Sequence, residues 1–127
     1  MILCDTNIYL ELFKGNGKVL EELKLIGFGN IGLSDLSIGE IYYGMRKGEE
    51  RKTKELIRLF NRYHFSKEVS KHFIEIISNQ HGRKITVPDA IIAAFAKSNQ
   101  LMLFTLNVKD FKDIQGLRLY KPKLKLK

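Results

Sequence analysis

Paired histidines, glycine-rich phosphate loops and multiple cysteines are missing from this chain, and each gap removes a class of function. The three histidines, His64, His72 and His81, show no close metal-type pairing, so they read as structural or solvated rather than as a zinc centre. No glycine-rich loop follows the first apolar stretch, which argues against a nucleotide-binding fingerprint. The single cysteine, Cys4, cannot form an internal disulfide, and inside an apolar run its thiol behaves as a small hydrophobe. No apolar run approaches the length of a membrane span, and the N-terminus lacks the features of a secretory signal, so the expected location is cytoplasmic. Without a sequence repeat, low-complexity linker or domain boundary, the 127 residues are expected to form one domain.

Acidic charge is the minority: 14 Asp and Glu stand against 22 Lys and Arg, a net charge of +8. Such a balance favours polyanions, whether nucleic acid, an acidic protein or membrane phosphates. Part of the excess is local, in Lys121, Lys123, Lys125 and Lys127, and residues 121–127 are expected to be a basic, solubilising, frayed tail. At 44% hydrophobic and 28% charged, the chain has enough apolar residues for a core.

The stretch that organises the remainder is Met1-Ile2-Leu3-Cys4, apolar throughout, followed at once by Asp5-Thr6-Asn7. A continuous apolar run suits a strand covered on both faces by helices. Open α/β sheets bind ligands at the carboxyl ends of such strands, which gives Asp5 a functional position. Asp5 or Asn7 also suits a helix N-cap, and this stretch alone leaves both readings open.

A short helix is expected over Ile8–Phe13, stopped by Gly15-Asn16-Gly17. A second amphipathic helix follows, with Val19, Leu20, Leu23 and Ile26 inward and Glu21, Glu22 and Lys24 outward. Ile31-Gly32-Leu33 reads as a strand, and Ser34 as the cap of a helix from about Asp35 to Lys47 with Glu40 at its middle. Leu36, Tyr43 and Gly44 share a face with Glu40, so this carboxylate is poorly placed for full solvation. Glu49 to Asn61 supplies a helix with a basic outer face, a solvated surface or an RNA contact. Tyr63-His64-Phe65 reads as a strand, and Ser66 caps a helix reaching about His81-Gly82. Pro88 suits a first helical position, and the apolar residues after Asp89 predict a buried helix. Leu101–Phe104 is a second apolar strand ending in polar groups, Thr105, Asn107 and Asp110; one helical turn over Asp110–Ile114 and an edge strand over Leu117–Tyr120 complete the chain.

Strands alternating with helices imply a parallel sheet whose strand ends share one edge. Asp5, Glu40, Asp89 and Asp110 are then expected to gather there. Clustered carboxylates repel one another and call for protons or cations, and hard oxygen donors with open positions suit Mg²⁺ or Mn²⁺. Local explanations stand beside this one: Asp89 also complements a helix dipole, and Asn107-x-x-Asp110 also resembles an N-cap with an acid at the third position.

Asp5-Thr6-Asn7, Ser37-Ile38-Gly39-Glu40-Ile41-Tyr42-Tyr43-Gly44, Pro88-Asp89-Ala90-Ile91-Ile92-Ala93-Ala94 and Thr105-Leu106-Asn107-Val108-Lys109-Asp110-Phe111, in this order, resemble the PIN-domain ribonucleases, and among them the VapC toxins of type II toxin–antitoxin systems. The resemblance covers nearly the whole chain and implies a three-layer α/β/α fold around a central, mostly parallel sheet. It implies that Asp5, Glu40 and Asp89 surround one or two Mg²⁺ or Mn²⁺ ions, with Asp110 a further ligand or water-mediated contact and Thr105 and Asn7 ordering the shell. Asn107 departs from the pattern, since the family's last motif often carries an acid there, and a neutral amide removes a charge available to a second ion. The implied activity is metal-dependent hydrolysis of RNA by a homodimer that a cognate antitoxin inhibits.

Two other functions are weighed against this one. An RNA-binding or assembly module without turnover is suggested by Asn107 and by the basic residues between Arg46 and Arg58. A phosphoacceptor domain also uses acids at strand ends, but Cys4-Asp5 and Asn107-Val108 lack its expected acidic pair and late-strand lysine.

Overall fold

The computed structural model of the chain describes residues 1–79 and 85–126. Its centre is a sheet of four short strands, β1 (Ile2–Cys4), β2 (Ile31–Ser34), β3 (Asn61–Tyr63) and β4 (Met102–Phe104), in the order β3-β2-β1-β4. Every pairing is parallel, with Leu3 opposite both Gly32 and Leu103. The expected edge strand over Leu117–Tyr120 is reduced to one parallel bridge, Leu103 to Leu119.

Successive strand residues point to opposite faces, and the core divides accordingly. Leu3 and Leu103 pack with α5 (Lys67–Ser78), α6 (Val87–Ser98) and Phe111 of the short α7 (Val108–Phe111). Cys4, Ile31, Leu33 and Phe104 pack on the other face with α1 (Thr6–Phe13), α2 (Gly17–Ile26), α3 (Asp35–Tyr43) and α4 (Glu50–Ile57). The three-layer α/β/α architecture anticipated above is therefore present.

Helix starts follow local chemistry. Asn16, Ser34, Ser66 and Thr86 each place a side-chain oxygen on an N–H of the first turn of α2, α3, α5 and α6. Pro88 occupies the second position of α6 rather than the first, since the helix opens at Val87 with Thr86 as its cap. The stops are less legible. Helix α3 ends at Tyr43 instead of Lys47, where Gly44 caps it, and β3 lies two residues earlier than Tyr63–Phe65 suggests. The turn anticipated over Asp110–Ile114 begins earlier, at Val108. The expected continuation of α5 to His81-Gly82 lies outside the described residues.

Two expectations about the outer layer fail together. Glu22, expected to face solvent, is buried, and Lys123 and Leu124, in a tail expected to fray, are tied to it. Its carboxylate accepts the Tyr120 hydroxyl and the backbone N–H groups of Lys123 (3.1 Å) and Leu124 (2.9 Å). Lys121, Lys123 and Lys125 face water while Leu126 packs on the core, so the segment Lys-Pro-Lys-Leu-Lys-Leu, bent at Lys123 and Leu124, forms a two-sided strap.

At Gly32 the absence of a side chain is a packing requirement. An added Cβ would lie 2.7 Å from a ring carbon of Tyr63, on the next strand. The Gly32 carbonyl also accepts the hydroxyl of buried Tyr9. Gly32→Ala is expected to lower stability by about 1–3 kcal/mol. Thermal denaturation should show part of that loss recovered in Gly32→Ala/Tyr63→Ala.

Candidate active site

In the order β3-β2-β1-β4 the chain moves outward from β1 to β2 and β3 and then returns to the opposite side of β1. The switch in direction opens a crevice at the carboxyl ends of β1 and β4, the usual ligand position in open α/β sheets. Asp5 and Thr105 leave those two strand ends. The Asp5 N–H donates to the Phe104 carbonyl at 2.9 Å, which locks the two exits together.

Both Asp5 oxygens are held. Oδ1 accepts the Thr6 N–H at 2.8 Å, and Oδ2 accepts the buried Thr105 hydroxyl at 2.9 Å. Asp5 is the N-cap of α1 and also lines a groove with Asn7, Glu40 and Asp89. Helix α3 delivers Glu40, whose Oε1 accepts the Thr6 hydroxyl at 2.6 Å. Since Thr6 has one hydroxyl proton and gives it to Glu40, the contact between Thr6 and Ser37 at 2.8 Å is donated by Ser37. Ser34 donates in turn to Ser37 at 3.3 Å. The resulting chain, Ser34 to Ser37 to Thr6 to Glu40, points its last proton at the carboxylate and fixes α1 against α3.

Thr6 and Ser37 are the members that sequence reasoning left without a role. Both lie inside the quoted motifs, and Ser37 precedes Glu40 by one helical turn, a spacing that places the two on one face. Thr105 does position an acid. Asn7 lines the groove from an exposed position on α1.

Asp89 stands at the third position of α6, where its N–H donates to the Thr86 hydroxyl at 3.3 Å, so it meets the helix dipole and the groove at once. Asp110 is exposed on α7 and stands outside the groove lining, close enough to act electrostatically on Asp89. Asn107 precedes α7 without capping it through its side chain. Its backbone N–H instead donates to the Thr105 hydroxyl at 3.0 Å, which orients the group that holds Asp5.

Burial raises the carboxyl pKa of Asp5 above the ordinary value against the lowering effect of its hydrogen bonds, and the negative charges of Asp89 and Glu40 raise it further. Asp89 is raised likewise, by burial first and then by Asp110 and Glu40. A raised carboxyl contributes stability below its unfolded pKa and loses it as pH rises through the folded one. Where both groups are ionised, their repulsion therefore weighs against the fold, and a cation in the groove would relieve it.

Oxygen donors alone, open to solvent on one side, match a hard divalent ion that retains some of its waters. Among the described residues no group of three or more His, Cys, Asp or Glu side chains stands together closely enough to hold a metal ion. The acids line an open groove, and the chemistry of the donors rather than a finished cage supports the fit.

An all-parallel sheet with carboxylates at its switch point and a hydroxyl chain behind them defines an α/β protein built around an acidic crevice. The PIN domain family is matched over residues 2–117, and the chain belongs to that family. It is 30% identical over 126 residues to Ribonuclease VapC1 of Rickettsia felis, covering 91% of this chain and 92% of that protein. Among solved structures it resembles a toxin–antitoxin complex from Klebsiella pneumoniae, at 29% identity and a TM-score of 0.80, over 92% of this chain and 95% of the other. VapBC2 from Rickettsia felis bound to a DNA fragment from their promoter gives 26% identity and a TM-score of 0.81, over 96% and 99%.

Proposed function

We propose that the protein is a metal-dependent endoribonuclease of the VapC toxin type, which hydrolyses RNA phosphodiester bonds in the groove between α1, α3 and α6. The observation that carries this reading is the convergence of Asp5, Glu40 and Asp89 on one groove, with burial and mutual repulsion raising two of the three carboxyl groups. Asp5, Glu40 and Asp89 would hold one or two Mg²⁺ or Mn²⁺ ions, with Asp110 as an outer contact. When bound, such an ion would polarise the phosphoryl group and lower the pKa of attacking water.

The chain's own residues provide position. Thr105 and the Thr6 N–H keep the Asp5 carboxylate from rotating, and the Thr6 hydroxyl keeps Glu40 turned toward it. The substrate phosphate enters the groove, water adds to phosphorus in line with the 3′ oxygen, and the 3′ oxygen leaves and takes a proton. The products are a 5′-phosphate and a 3′-hydroxyl.

The partners of this reading are RNA as substrate, a second copy of the chain and a cognate antitoxin protein that blocks the groove. It is supported by the ribonuclease name of the Rickettsia felis relative and by the toxin–antitoxin complex among the structural neighbours.

Incubation with total cellular RNA in Mg²⁺ or Mn²⁺ should yield discrete new 5′ ends that EDTA abolishes. RNA binding without cleavage would favour an assembly or binding module instead. Thr105→Val, which removes the hydroxyl from Asp5 but keeps the shape, is expected to lower metal affinity or turnover by about 10–100-fold with the fold intact. A metal titration followed by activity and thermal melting checks both halves of that expectation.

A further inference from the structure

The acidic groove has a basic rim that the catalytic reading does not use. Asp35 opens α3 directly after β2, and its side chain, 18% exposed, lines the groove beside Glu40. Each of its oxygens is taken by a different side chain from the neighbouring strand end. Arg62 Nε donates to Oδ1 at 2.7 Å, and His64 Nδ1 meets Oδ2 at 3.1 Å. Parallel pairing of β2 with β3 brings these residues together at the carboxyl edge of the sheet, the edge from which Asp5 and Thr105 also leave.

Asp35 holds Arg62 by Nε, a bond in which the two terminal guanidinium nitrogens take no part. Arg62 and His64 are 54% and 68% exposed, so both present donors to solvent beside the groove. Phe65 follows immediately, lines the same groove and is 57% exposed while leaning edge-on against Phe95. A fixed guanidinium, an imidazole and an open aromatic face are the groups that hold a phosphate and stack a base of an unpaired strand.

We propose that Arg62 and His64, clamped by Asp35, form a phosphate-binding ledge that positions the RNA strand across the acidic groove, with Phe65 stacking on a neighbouring base. The inference rests on the ribonuclease reading for its substrate, and it assigns positioning rather than chemistry to these residues. Negative charge at the catalytic acids repels RNA, and the ledge supplies attraction close enough to the acids to seat one phosphate among them.

The test measures binding apart from cleavage. Affinity of a short, fluorescently labelled oligouridylate is followed by anisotropy over a range of salt concentrations, in an Asp5→Asn background. Arg62→Ala is expected to weaken binding about tenfold and to reduce the salt slope by about 0.7, one contact to a single-stranded phosphate. Arg51→Ala, on the exposed basic face of α4, should leave both unchanged. Asp35→Asn gives the most telling sign: removal of a negative charge should by itself tighten RNA binding, whereas release of Arg62 and His64 from their clamp should weaken it. In the wild-type background Arg62→Ala should raise KM with kcat nearly constant. Unchanged affinity and slope in Arg62→Ala, or tighter binding in Asp35→Asn, would overturn the ledge; a larger loss in Arg51→Ala would route the RNA over α4. If the wild-type protein binds the probe and cleaves no RNA, the ribonuclease reading fails while the slopes still decide the ledge. Because Arg62 is half exposed its truncation should leave the fold standing, and Arg62→Gln repeats the measurement should Arg62→Ala melt early.

Discussion

Asp5→Asn is expected to lower RNA cleavage by about 10²–10³-fold or more while the apo protein becomes slightly more stable. The two effects have one cause. Asp5 sits buried between two helix starts, where burial and the charges of Asp89 and Glu40 oppose its ionisation. A neutral amide of nearly the same shape removes that repulsion, retains an acceptor for the Thr6 N–H and can pair with the Thr105 hydroxyl. It also removes the charge that a cation needs. Wild-type protein should therefore melt higher on addition of Mn²⁺, by about 2.7 kcal/mol at a hundred times the dissociation constant, and Asp5→Asn should show little of that gain. A variant that loses activity because it unfolds would melt lower without metal, so a pair of melting curves separates the two explanations.

Glu22→Ala is expected to produce a large loss of stability, about 3–5 kcal/mol from buried donors left without their acceptor, equivalent to a fall of roughly 10–20 °C in Tm. The Glu22 carboxylate is buried, and it is the common acceptor for the Tyr120 hydroxyl and the N–H groups of Lys123 and Leu124. Truncation leaves those donors without their partner beneath the strap. Burial alone would raise the carboxyl pKa, but the hydrogen bonds from Tyr120, Leu124 and Lys123 outweigh it and bring it below the usual value. Tyr120 moves the other way, its hydroxyl pushed up to about 12 by burial and by the carboxylate it serves. For a carboxyl with a lowered pKa, stability is fully present above the unfolded value of about 4.3. It is lost as pH falls through the folded value. Acid titration of the wild type should release the strap before the core melts, and Glu22→Ala should lack that step. Glu22→Gln, which keeps one acceptor oxygen, should fall between the two.

The fold was legible wherever a local rule acts alone. Apolar runs gave β1 and β4, and Ser34 and Ser66 marked helix starts through the N–H groups they bond. Boundaries that depend on distant packing were not legible: α3 stops at Tyr43, and Tyr43 is left 96% exposed where burial on the Glu40 face was expected. Glu22 shows the same limit. Helical spacing places a glutamate between Leu20 and Lys24 outward, and nothing nearby announces that Tyr120 and the strap will cover it a hundred residues later.

At the site, Asp5 and Asp89 could be found by their places at a strand end and a helix start and Glu40 by the apolar face it shares in mid-helix, and the structure brings the three to one groove. Asp110 stays at its margin because it lies on the exposed side of α7, a single turn that begins at Val108 and buries Phe111. The hydroxyls were harder to see. Thr6 and Ser37 acquire their roles only when α1 and α3 pack together, and Thr105 holds Asp5 across a hundred residues of sequence.

Metal-assisted cleavage of RNA at these carboxylates is read from the chemistry of the ends produced from total cellular RNA. Wild-type protein in Mg²⁺ or Mn²⁺ should generate discrete sites with 5′-phosphate and 3′-hydroxyl ends, and both EDTA and Asp89→Asn should abolish them. Cleavage that persists in EDTA and in Asp89→Asn, or ends carrying a cyclic phosphate from attack by the RNA's own 2′-hydroxyl, would contradict it.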